Sequence, residues 1–288
     1  MNIAPECIAC IVGQSERVCD AIGADTFLKE KIVLHVSQAS QNFDFSQTPP
    51  EVASDVYEDM AKLAKKEDLY KELKESATQK ALSFIPSLHV SLDNSEDKLL
   101  ALLKIAVAGN VIDLAAEVSF DLDEELAKIF HTDFAIDDSE ALRKKLSQAK
   151  TLLYIGDNVG EHIFDYLAIE TLQELYPALH VSYMVRGNPI INDVTMLEAK
   201  EAGFDRLCNL VDSGVNTPGF VYSRATKEAQ ELFDSADIVI TKGMGNYECL
   251  SPSPRTDLLY LLKVKCNVVA SSLGRELGDI ICKLKEHL

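Results

Sequence analysis

Two apolar spacings divide the chain. Up to about residue 149 the apolar positions recur at helical intervals, and no stretch reads as a convincing strand. Val52, Val56, Met60 and Leu63 continue a segment opened by Pro49-Pro50-Glu51, with proline in the first turn, where its missing N–H is harmless. Residues 70–85 continue in the same manner, and Pro86 predicts a stop. Ser95-Glu96-Asp97 precedes Leu99, Leu100, Leu102, Leu103 and Ile105, giving a serine cap and first-turn acids that suit the helix dipole. The stretches 121–125 and 135–148 predict two shorter helices.

From Thr151 the pattern changes. Short β-rich runs predict strands near 151–156, 180–185, 207–212, 236–241 and 267–271, and helices near 160–175, 194–202, 223–234, 256–264 and 275–286. This alternation is the pattern of βαβ units, so the expected class is α/β with a parallel sheet. No fixed-period repeat and no low-complexity linker separates the halves. The helical part is therefore expected to pack on the sheet as a cap.

At 288 residues, one large or two medium domains fit equally well. The 46 acidic residues outnumber the 28 basic ones, for a formal charge of -18, which argues against nucleic acid and anionic membrane as partners. Residues 99–118 form the most apolar long window, but Lys104, Asn110, Asp113 and Glu117 interrupt it, so it reads as a buried helix pair rather than a membrane span. The N-terminus has neither a cationic start nor a long apolar core, and a cytoplasmic location is expected. Seven cysteines without a framework spacing indicate reduced thiols. Cys7 and Cys10 form a Cys-x-x-Cys unit with no second unit to complete a tetrahedral site, and the six histidines show no ligand spacing.

The candidate chemistry lies at strand-to-helix corners. Gly156-Asp157-Asn158 closes the run 152–155, and its carboxylate and amide oxygens suit Mg²⁺ or Mn²⁺, although a strand-end aspartate also serves as a helix cap. Asp193 ends Arg186-Gly187-Asn188-Pro189-Ile190-Ile191-Asn192-Asp193 at the next corner, and neighbouring corners of a parallel sheet can share one ion. Glu161 either holds a metal-bound water or favours the helix dipole. Lys242-Gly243-Met244-Gly245-Asn246 offers a cation, two glycines whose N–H groups can approach an anion, and an amide, with phosphate as the natural ligand. Arg186 could grip the same phosphate or pair with an acid. Asn110 and Asp113, three apart on a helix, either reach from the cap into the metal corner or satisfy helix ends.

Neither a P-loop, a Gly-x-Gly-x-x-Gly after the first strand, a Gly-x-Ser-x-Gly elbow nor the second aspartate of a haloacid-dehalogenase-type phosphatase is present. Instead, Gly-Asp-Asn-x-Gly-Glu at 156–161, Arg-Gly-x-Pro-Ile-Ile-Asn-Asp at 186–193 and Lys-Gly-x-Gly-Asn-x-Glu at 242–248 resemble the metal-dependent damage-control phosphatases, the ARMT-like metal-binding family. Pro5-Glu6-Cys7-Ile8-Ala9-Cys10, Ala108-Gly109-Asn110 with Asp113, and Lys265-Cys266 resemble its microbial subgroup. The resemblance implies a helical cap region over 1–149 and a Rossmann-like domain over 150–288. It also implies a divalent metal (Mn²⁺, Co²⁺, Ni²⁺ or Mg²⁺) on Asp157, Asn158 and Asp193, with Lys242 on the phosphate. Catalysis is then expected from Asp157, Asp193 and Lys242. Substrate contacts are expected from Asn110, Asp113, Glu161, Arg186, Asn192, Gly243, Gly245 and Asn246. The substrate would be a small phosphorylated metabolite, such as a sugar phosphate or a phosphopantetheine-like compound. Carboxyl methyl transfer from S-adenosylmethionine and non-catalytic metal or metabolite binding are the alternatives.

Overall fold

The computed structural model describes residues 1–111, 128 and 130–285. Five helices come first: α1 (Pro5–Ala21), α2 (Thr26–Ala39), α3 (Pro49–Ala64), α4 (Lys71–Asp93) and α5 (Lys98–Val111). The rest runs β1 (Ile136–Asp137), α6 (Ser139–Leu146), β2 (Thr151–Ile155), α7 (Glu161–Leu175), β3 (His180–Val185), α8 (Met196–Glu201), α9 (Phe204–Leu207), β4 (Asn209–Asp212), α10 (Lys227–Ser235), β5 (Ile238–Lys242), α11 (Gly243–Leu250), β6 (Leu258–Lys263), α12 (Asn267–Leu273) and β7 (Ile280–Leu284). The seven strands form one sheet in the order β1-β7-β6-β5-β2-β3-β4. All neighbours are parallel except β6 and β7. The direction of winding reverses between β2 and β5, the crevice where open α/β sheets place ligands.

Both sheet faces are covered, which is why the strands read as near-continuous apolar runs. Leu152, Tyr154, Val181, Tyr183, Ile238 and Ile240 face one core with α4, α5, α6 and α7. Leu153, Ile155, Met184, Val239 and Tyr260 face the other, with α10, α11 and α12. Helices α1, α2 and α3 enclose a third, smaller core that takes in Ile190 from the loop after β3. Thr48 and Glu51 form a reciprocal capping box ahead of α3, and Lys65 closes that helix in the left-handed region at φ 54°. Among the described residues no helix is long and apolar enough to cross a membrane.

Several expectations are corrected. Helix α4 runs through Pro86 instead of stopping there, because Phe84, Leu88 and Leu92 on one face are buried and their packing outweighs the missing hydrogen bond. The segment before residue 150 contributes a strand after all, β1, paired with β7. Residues 256–264, expected as a helix, contain strand β6, whose five leading residues are buried. Residues 267–271, expected as a strand, lie in α12, which ends at Gly274 in the left-handed region. Residues 275–286, expected as a helix, contain β7. The predicted helix at 121–125 lies outside the described residues.

At the start of α7, His162 is buried and stacks on Phe204, and its Nδ1 accepts a hydrogen bond from the Gly160 N–H at 2.9 Å. Burial, the largest cause, holds the imidazole down at about 4. The unfolded chain takes up this proton at an ordinary 6.5, so stability is lost as pH falls from 6.5 and levels off below about 4.

Two outcomes follow from this packing. Phe164→Ala, which removes a fully buried ring set edge-on to Phe84 at 6.1 Å, lowers the urea unfolding free energy by about 3–5 kcal/mol; a loss below about 1 kcal/mol means that α4 and the sheet do not share a core. Between pH 7 and pH 4 the wild type loses about 3 kcal/mol more stability than His162→Asn, whose amide oxygen can still accept from Gly160. Parallel pH curves for the two proteins refute the buried neutral imidazole.

Candidate active site at the switch of the sheet

The corners after β2 and β3 are laced together by their backbones. Val159 N–H donates to the Asn192 carbonyl and Val194 N–H donates to the Asp157 carbonyl, each at 2.8 Å, so Asn158 and Asp193 stand opposite each other as an isolated bridge. Ile191 adopts φ 48°, in the left-handed region, to turn the second corner. The third corner, after β5, comes equally close. Gly243, at φ +77°, sits so near that a Cβ there would stand 2.0 Å from Asp157 Oδ2, leaving room for glycine alone.

Arg186, 1% exposed, lies among these corners. Its Nε donates to Asp193 Oδ2 at 2.7 Å, its Nη2 to Asn246 Oδ1 at 3.2 Å, and Nη2 stands 3.8 Å from Asp157 Oδ1. Asn246 is saturated: its amide donates to the carbonyls of Gly156 and Lys242, and its oxygen also accepts from Phe220 N–H. Lys242, 0% exposed, donates to Asp165 Oδ1 at 2.7 Å and faces Glu161 Oε2 at 3.5 Å. Asp165 also accepts from the Tyr154 and Tyr183 hydroxyls. Asn158 Nδ2 donates to Asp157 Oδ2 and to Glu161 Oε1, joining the two clusters.

Burial first, then the negative charges of Asp193 and Glu161, push the Asp157 carboxyl well above the ordinary carboxylate range. Burial also raises Asp193, against the pull of Arg186. The enclosed cluster contains four carboxylates, on Asp157, Glu161, Asp165 and Asp193, and two cations, on Arg186 and Lys242. Fully ionised, it is two negative charges in excess, which a divalent cation would neutralise. The donors Asp157, Asp193 and the Asn158 amide are all hard oxygens, as Mg²⁺ or Mn²⁺ requires, with coordination positions left for water or substrate. The residues therefore fit such an ion. Among the described residues no group of three or more His, Cys, Asp or Glu side chains could hold a metal, so the set depends on the amide.

A cavity of about 540 Å³ opens over this cluster. Asp157, Asn158, Asn192, Asp193 and Gly245 line it, so the structure brings these expected residues together. Arg186, Lys242, Gly243, Asn246 and Glu161 stand behind its wall and not on it. Lys242 holds Asp165, Asn246 holds the carbonyls of Gly156 and Lys242, and Arg186 holds Asp193 and Asn246, while the buried Arg186 Nη1 has no hydrogen-bond partner among the described residues. The Asn110 side chain and Asp113 lie outside the described residues. Gly109, just before them, is seated on Glu161, where a Cβ would meet Cγ at 2.4 Å.

Two groups stand at the site without having been expected in a role there, although Lys265 belongs to the Lys265-Cys266 pair that resembles the microbial subgroup. Asp165 is the fully buried partner of Lys242, and its spacing of four from Glu161, one helical turn, was the available signal. Lys265 is the exposed cation on the cavity wall, close enough to pull the Asp157 carboxyl down against its neighbours. Cys7, Cys10 and Cys266 line the same cavity as free thiols.

The chain's sequence and overall shape have counterparts. The model of the damage-control phosphatase ARMT1-like domain matches residues 3–281. Damage-control phosphatase PH1575 of Pyrococcus horikoshii is 31% identical over 98% of this chain and 98% of its own. The damage-control phosphatase of Archaeoglobus fulgidus is 27% identical over 99% of this chain and 100% of its own. A crystal structure of a DUF89 family protein, ph1575 of P. horikoshii, superposes with a TM-score of 0.91 at 28% identity, covering 99% of this chain and 100% of that one. With the match running through all three corners and both flanking helical layers, the chain belongs to the ARMT1-like damage-control phosphatase family.

Proposed function

We propose that this cavity hydrolyses phosphomonoesters of small metabolites with the help of a divalent cation held by Asp157, Asn158 and Asp193. The observation that carries the reading is a buried cluster of four carboxylates against two basic side chains that opens onto a cavity. A divalent cation there supplies Lewis acidity to the phosphoryl group and to water. The chain's own residues do the rest. Asn158 bridges Asp157 and Glu161, so the amide is held in the plane of the corner. Arg186 fixes Asp193, and Lys242, locked on Asp165, balances Glu161 from behind. Lys265, the exposed cation on the wall, is assigned to the incoming phosphate.

Asp157→Asn and Asp193→Asn should each lower Mn²⁺-dependent turnover of an aryl phosphate at least a thousandfold while the circular dichroism spectrum is retained. Lys265→Ala should raise KM about tenfold or more with a smaller change in kcat. Full activity in both aspartate variants refutes the assignment. Binding of S-adenosylmethionine by calorimetry without metal, together with no phosphate release, would instead favour methyl transfer.

A further inference from the structure

Glu248 belongs to none of the roles assigned above, yet it lines the same cavity as Asp157 and Asp193. It sits on α11, whose first residue, Gly243, touches the Asp157 carboxylate. The helix thus starts at the acids and runs along the cavity wall, and Gly245 and Glu248, three apart and hence on one face, both border the cavity. Five residues of helix place Glu248 about 7.5 Å along the axis from Gly243. Helical side chains lean toward the N-terminus, which brings the carboxyl back toward the acids. A phosphoryl group bound at Asp157 and Asp193 would therefore share its cavity with Glu248.

The surroundings of Glu248 suit a group that keeps its proton. Its negative charge reaches Cys7 from α1, Cys249 from α11 itself and Cys266 from the turn before α12, and Cys7, Cys266 and Lys265 share its cavity. The Met1 amine is the nearby cation, and it donates to the Glu248 main-chain carbonyl. Burial pushes the carboxyl up to about 7, with the Met1 amine opposing. Of the other acids that line the wall, Asp157 and Asp193 face Arg186, and Glu6, from α1, is exposed.

We infer that Glu248 is the general acid that protonates the leaving group in the hydrolysis proposed above, a role that rests on that reading. A water oxygen forms the new bond to phosphorus, and the ester P–O bond breaks with its electron pair on the departing oxygen. The Glu248 carboxyl proton moves to that oxygen and an alcohol leaves. The proton lost by the attacking water stays with the inorganic phosphate, and Glu248 is reprotonated from solvent.

An alkoxide needs this proton far more than a nitrophenolate does. With a divalent cation present, Glu248→Gln should lower kcat on glycerol phosphate about a hundredfold or more, and on 4-nitrophenyl phosphate less than about threefold. The wild-type profile on glycerol phosphate should fall above neutral pH, and this limb should be missing from the variant. Calorimetry with inorganic phosphate should give both proteins the same Kd. Equal losses on the two esters mean a structural role, and no loss on either means a bystander; each overturns the inference. If Glu248→Gln does not fold, Glu248→Asp should keep the alkaline limb at reduced kcat, and its loss there likewise overturns the inference. Wild type inactive on both esters with every divalent ion defeats the phosphatase reading and this role together, whereas an active wild type with the wrong ester pattern defeats this role alone.

Discussion

The Arg186 guanidinium, almost fully enclosed, is shared by two carboxylates and an amide that arrive on three different connections of the sheet. Removing any of those partners from water is expensive, and a buried charge left alone costs several kcal/mol, so none can be withdrawn independently. The corners after β2, β3 and β5 are consequently fixed relative to one another before any ligand arrives. Lys242 performs the same service one layer deeper, between Asp165 and Glu161. The cavity wall is thus a surface of acids backed by cations, and its electrostatic imbalance is built into the folded chain.

The middle of the fold was legible because its elements obey simple periods. Strands β2, β3 and β5 are short, β-branched and bounded by glycine or polar corners, and their positions agree with expectation to within a residue or two. The stretch after residue 255 was not legible, for reasons that are local. Leu258-Leu259-Tyr260-Leu261-Leu262 carries good helix formers and no alternation, because a strand covered on both faces has no polar side to reveal it. Val268-Val269 has strand propensity, yet Cys266 Sγ accepts from Val269 N–H and Gly274 supplies a left-handed end, so a helical turn wins. Pro86 misled for a related reason: burial along α4 outweighs a local rule.

At the site, motif position was enough to group Asp157, Asn158, Asn192 and Asp193, which stand together on one cavity. What could not be read was depth. A lysine or arginine beside glycine looks the same in sequence whether it points into a cavity or behind its wall, and only the position of a distant acid such as Asp165 decides which. Lys265 stood in a pair that resembles the microbial subgroup, but its place on the cavity wall was hidden because its corner follows β6, and β6 was taken for a helix.

The arrangement of β1, β7 and β6 bears on how the chain is assembled during synthesis. Among the described residues the strand neighbour of β1 in the sheet is β7, which is made some 140 residues later and lies parallel to β1 and antiparallel to β6. Until the ribosome releases residues 280–284, both the early segment and the outer edge of β6 lack the backbone partner they have in the finished fold. The nascent chain must therefore carry an open sheet margin from the synthesis of β1 to that of β7.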